Sequence, residues 1–81
     1  MSKSYEWFSI PATDYKSVTL ADADLPDGVC RGLLVTTAGT ANLMTPQGEI
    51  RTGIPLVEGY NPIRCLQVRT GTLASGIFAL Y

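Results

Sequence analysis

An 81-residue chain that is 46 % hydrophobic but only 16 % charged is one domain, small enough to bury only about 60 to 65 % of its unfolded surface on folding. A formal net charge of −1, from six basic and seven acidic residues, excludes a broad positive field for gripping the phosphates of nucleic acid. Histidine is absent, which excludes Cys-His and Ser-His catalytic pairs.

In chain order, residues 1–14 read as an arm or a first strand, and residues 15–81 as a single β-domain. Tyr5, Trp7 and Phe8 crowd between Lys3 and Pro11, more aromatic surface than one face of a small core accepts. Tyr and Trp are enriched in interface cores, so the segment either docks on a neighbouring subunit or lies over its own sheet. It does not read as a signal peptide, because Glu6, Pro11 and Asp14 interrupt the apolar stretch one needs.

Strands are expected at residues 16–20, 29–37, 40–45, 49–52, 63–69 and 76–81, with turn chemistry every 8 to 12 residues or so. Leu25-Pro26-Asp27-Gly28 and Pro46-Gln47-Gly48 are proline-led turns with glycine where positive φ is needed. Ala38-Gly39 and Thr70-Gly71 suit tight connections, and Glu58-Gly59-Tyr60-Asn61-Pro62 reads as a longer loop. No window supports an amphipathic helix. The fold class is therefore all-β, a small antiparallel sandwich or barrel of about six strands.

Leu33, Leu34 and Val35 run consecutively, as in a central strand covered on both faces. From Arg64 to Arg69 the pattern partly alternates, placing Leu66 and Val68 on one face and Cys65 and Gln67 on a wetter one. Phe78 to Tyr81 offer large or apolar side chains to both faces of a sheet, so this last strand is expected to be docked and covered on both sides. An echo between Leu33-Thr37 and Leu66-Thr70 suggests either a pseudo-twofold pair or ordinary reuse of strand residues. With so little core to absorb this surface, homo-oligomerisation is the expected remedy.

Little in the chain carries reaction chemistry. Cys30 and Cys65 do not form a CxxC pair and lack histidine partners for a metal set. They read as buried, reduced, structural thiols, with a cross-strand bridge as the alternative. Asp22, Asp24 and Asp27 share one loop and read as solvated turn formers rather than a catalytic or calcium site. The glycines make no phosphate-loop pattern, and no cofactor is implied. Tyr60, Asn61 and Arg64 lie near one loop, where they could hold a sugar; alternatively Tyr60 packs over the domain and Asn61 sets up the turn before Pro62. Arg51, Arg64 and Arg69 suit interfacial ion pairs or solvated strand faces. No apolar run approaches the roughly 20 residues of a membrane helix, so a soluble, membrane-free domain is expected.

From Leu25-Pro26-Asp27-Gly28-Val29-Cys30-Arg31-Gly32-Leu33-Leu34-Val35, through Thr37-Ala38-Gly39-Thr40, Pro62-Ile63-Arg64 and Thr70-Gly71-Thr72, to Ile77-Phe78-Ala79-Leu80-Tyr81, the chain resembles the head-spike base proteins of gene transfer agents and related tailed phages. The resemblance covers about the last two-thirds of the sequence and omits the aromatic arm. It implies a small β-domain, made in a bacterial host cytoplasm, that oligomerises on the capsid exterior between the major capsid protein and a spike or fibre protein, without catalysis. A capsid cement protein that clamps capsomers is the alternative, and a small carbohydrate-binding module is another of a different class. The residues expected at contacts are Tyr5, Trp7, Phe8, Tyr60, Arg64, Phe78, Leu80 and Tyr81.

Overall fold

The computed structural model describes residues 12–81; the expected contacts Tyr5, Trp7 and Phe8 lie outside the described residues. Among the described residues seven strands follow one another: β1 (Tyr15–Ser17), β2 (Gly32–Thr37), β3 (Gly39–Met44), β4 (Ile50–Leu56), β5 (Gly59–Asn61), β6 (Gln67–Val68) and β7 (Ser75–Leu80). They form a four-stranded sheet in the order β1-β7-β2-β5 and a three-stranded sheet in the order β4-β3-β6, with every pairing antiparallel. The result is an open two-sheet all-β fold rather than a closed barrel.

One apolar cluster joins the inner faces. Leu33 and Val35 from β2 and Ile77 and Ala79 from β7 share it with Ala41 and Leu43 from β3, Leu56 from β4 and Val68 from β6. The two-residue pleat explains the selection: alternate positions of β2 and β7 point inward, and those between point away. Leu34 and Phe78 are thus each 38 % exposed. The outer side of these apolar runs is partly open within a single subunit at Leu34 and Phe78, while Leu80 on the same side is buried.

Ala38-Gly39 makes the tight connection expected of it, and the link carries the chain from one sheet to the other, since β2 and β3 belong to different sheets. A Cβ on Gly39 would lie 2.7 Å from the Ala74 nitrogen and 3.0 Å from its Cα, so the corner closes only where a side chain is missing. By contrast, Pro46-Gln47-Gly48 does close a hairpin: Gly48 N–H donates to the Thr45 carbonyl at 2.9 Å and Thr45 N–H to the Glu49 carbonyl at 2.7 Å, with Gly48 at φ 91°.

Two expectations are corrected. The loop expected at residues 58–62 contains β5, which pairs Leu33, Leu34 and Val35 of β2 with Asn61, Tyr60 and Gly59. Pro62 lies just past the end of that strand, where a missing N–H costs no ladder bond. The strand expected at 63–69 shrinks to β6, and its supposedly wetter face is inside, with Cys65 and Gln67 both buried. Gln67 tolerates this because its Nε2 donates to Asp24 Oδ1 at 2.8 Å and its Oε1 accepts from Arg69. The two echoed segments do not pair with each other, since β2 and β6 lie in different sheets.

Candidate interaction face

Strand register assembles an apolar surface on the outer face of the four-stranded sheet. Across one row Ser17 faces Phe78, Phe78 faces Leu34 and Leu34 faces Tyr60; across the next, Tyr15 faces Leu80 and Leu80 faces Gly32. Because directly opposed residues share a face, Phe78, Leu34, Tyr60 and Tyr15 stand together, and neither row contains a charge. Tyr15 and Tyr60 are 69 % and 56 % exposed. Gly32 fixes the Tyr60 ring: a Cβ there would come within 2.7 Å of Tyr60 Cε1, so the ring lies across the bare backbone of β2. Exposed apolar residues scattered singly need no explanation, whereas adjacent ones on an uncharged face make it a candidate interaction surface.

Of the other residues expected at contacts, Leu80 is buried and Tyr81 half-buried against the core. Tyr81 is tied into its own subunit: its N–H donates to the Asp14 carbonyl at 2.9 Å, and its hydroxyl to the Gly28 carbonyl at 3.1 Å. Burial pushes its phenol above the ordinary value. Arg64 is exposed but lies in neither row. Sequence reasoning missed Tyr15 as a contact and passed over Leu34, although the consecutive Leu33-Leu34-Val35 already required one of the three to face away from Leu33 and Val35.

Of the loop residues that could hold a sugar, Tyr60 and Arg64 are exposed and Asn61 is turned inward. Asn61 is buried, with Oδ1 accepting from Val57 N–H at 2.9 Å and Nδ2 donating to the carbonyls of Val57 at 3.0 Å and Gly59 at 3.1 Å. Its amide therefore clamps the turn between β4 and β5, which aims Tyr60. Asn61→Ala leaves those three backbone groups without that partner and is expected to cost about 2 to 3 kcal/mol, read from urea unfolding, and to loosen Tyr60, read from its near-ultraviolet dichroism.

The three loop acids diverge. Asp22 accepts from Thr70 N–H at 3.2 Å and Thr70 hydroxyl at 3.0 Å, Asp24 accepts from Gln67, and Asp27 pairs with Lys16. Among the described residues no group of three or more Asp, Glu, Cys or His side chains is placed to hold a metal ion. The Thr70 hydrogen bonds hold the Asp22 carboxyl below its ordinary value. The hydrogen bond to Asp27, with that carboxylate's charge, holds the Lys16 ammonium above its own. The signs oppose. Asp22 contributes stability above its unfolded pKa of about 3.9, and this is lost as pH falls through the lower folded value; Lys16 contributes below about 10.4, and this is lost as pH rises through the higher one. Asp22→Asn is therefore expected to flatten the drop in urea midpoint between about pH 5 and about pH 2, leaving the alkaline limb unchanged.

At the β1 edge a cavity of about 260 Å³ opens between Lys16, Val18, Leu25, Asp27, Ala79 and Tyr81. It is smaller than the roughly 300 to 1,000 Å³ of small-molecule sites, and its one cation is already paired with Asp27.

Fold and surface together define a small two-sheet all-β domain with an uncharged, aromatic-rich sheet face. Comparison with family models, with curated proteins and with solved structures finds no match.

Proposed function

We propose that this protein is a non-enzymatic virion structural component, an oligomeric base on the capsid exterior that anchors a head spike or fibre. The observation that carries the reading is the outer face of β1, β7, β2 and β5, where Leu34, Tyr60, Phe78 and Tyr15 are exposed together without a charge among them. Copies of the chain associate through this face, and a closed arrangement also shields the sheet edges that would otherwise recruit further strands. The sequence resemblance over residues 25–81 supplies the rest of the reading, namely the capsid beneath and the spike above.

Particles purified from the producing cells test the proposal. Mass spectrometry is expected to find this chain in stoichiometric amount, and electron microscopy to place it on the outer shell beneath projecting density. Its absence from intact particles overturns the reading, and outer-shell density with nothing projecting replaces the spike base with a cement protein.

A further inference from the structure

Cys30 and Cys65 take no part in the outer face, yet each is only 1 % exposed and both are free thiols. Their backbones are stitched together, with Cys30 N–H donating to the Cys65 carbonyl at 3.1 Å. The two Sγ atoms stand 3.5 Å apart. Closing them to the disulfide length of about 2.05 Å requires the sulfurs to approach by only about 1.5 Å.

We propose that Cys30 and Cys65 form a latent cross-link, kept as thiols in a reducing cytoplasm and closed to a disulfide when the protein meets a peroxide outside it. The chemistry stands on the thiol geometry alone; only the place where the link closes rests on the reading of the protein as a virion component.

The steps balance with hydrogen peroxide as oxidant. The Cys30 thiolate attacks one peroxide oxygen, forming an S–O bond and breaking the O–O bond; the departing hydroxide takes up the proton the thiol released and leaves as water. Cys30 is then a sulfenic acid. The Cys65 sulfur attacks the Cys30 sulfur, forming the S–S bond and breaking the S–O bond, and the expelled hydroxide leaves as a second water with the Cys65 proton. Two thiols lose two electrons and one peroxide gains them. The hydrogen bond from Cys65 draws the Cys30 thiol down to about 7, which favours Cys30 as the nucleophile. Cys65 is held far above its ordinary value by its hydrogen bond to Cys30, by burial and by its neighbour's charge, so it keeps its proton until the sulfenic acid has formed. At 1 % exposure for each cysteine, the site is expected to react with an oxidant as small as peroxide and to resist a bulky glutathionyl mixed disulfide.

The link would tie the segment that carries Leu25 and passes Arg31 N–H to the Leu80 carbonyl onto the strand-like stretch before β6. It joins positions 35 apart in sequence, so it removes much freedom from the unfolded chain.

Reduced, purified protein treated with hydrogen peroxide is expected to lose the mass of two hydrogen atoms, to yield a Cys30–Cys65 peptide on non-reducing digestion, and to gain roughly 10 °C in Tm, all reversed by dithiothreitol. Oxidised glutathione should act far more slowly on the folded protein. Cys65→Ser should stop at a Cys30 sulfenic acid trapped by dimedone, with no gain in Tm. Thiols that stay inert, sulfinic or sulfonic acid in place of the bridge, disulfides between copies, or a bridge that leaves Tm unchanged would each overturn the proposal. Should Cys65→Ser fail to fold, the wild-type digest and Tm decide alone. Absence of the chain from virions would sink the functional reading while leaving this result untouched.

Discussion

Leu33→Ala is expected to destabilise the subunit by about 3 to 4 kcal/mol, read as a fall in the urea midpoint at unchanged slope. Leu33 is 0 % exposed and sits in β2 between Ala79 of β7 and Asn61 of β5. Its small neighbours in the core, Ala41, Ala74 and Ala79, cannot extend into the space it leaves. A chain of this length holds only about 4 to 12 kcal/mol in total, so about a quarter or more of the stability is at stake in one side chain. A loss under about 1 kcal/mol would mean that the two inner faces do not meet around Leu33.

The paired change Leu34→Lys with Phe78→Asp, which sets opposite charges across the β2–β7 pair, is expected to weaken self-association at least about 100-fold while leaving an isolated subunit folded. Both side chains are partly exposed within one copy, so charges there stay hydrated in the monomer and are stripped of water only on assembly. Leu73→Asp serves as the control, since Leu73 is 74 % exposed but belongs to the loop before β7. Sedimentation equilibrium separates the outcomes: equal weakening by the control variant would place the contact elsewhere.

The fold class was legible because the local rules agreed. Short apolar runs bounded by turn residues marked β2, β3 and β7, and the proline-glycine turns stand where they were expected. What was not legible depended on which sheet each strand joins. Ala38-Gly39 has turn chemistry in either setting, and only the nearness of Ala74 to Gly39 distinguishes a sheet-changing corner from a hairpin. Gln67 looks solvent-facing by polarity, yet partners from a distant loop and a neighbouring arginine satisfy it inside.

Of the interaction face, Tyr60 and Phe78 could be anticipated from their size. Tyr15 and Leu34 could not be joined to them before the register was known, since they come from strands distant in sequence. Gly32 is the subtlest member, a strand glycine whose missing side chain seats an aromatic ring. Leu80 and Tyr81 have the same apolar character as Phe78, but pairing and hydrogen bonds draw them into their own subunit.

Sedimentation equilibrium of the wild-type protein at micromolar concentration and moderate salt tests the central claim most directly. A single defined oligomer is predicted, dissociating when Leu34 and Phe78 are charged. A stable monomer across that concentration range, with Leu34, Tyr60 and Phe78 left in water, would contradict it.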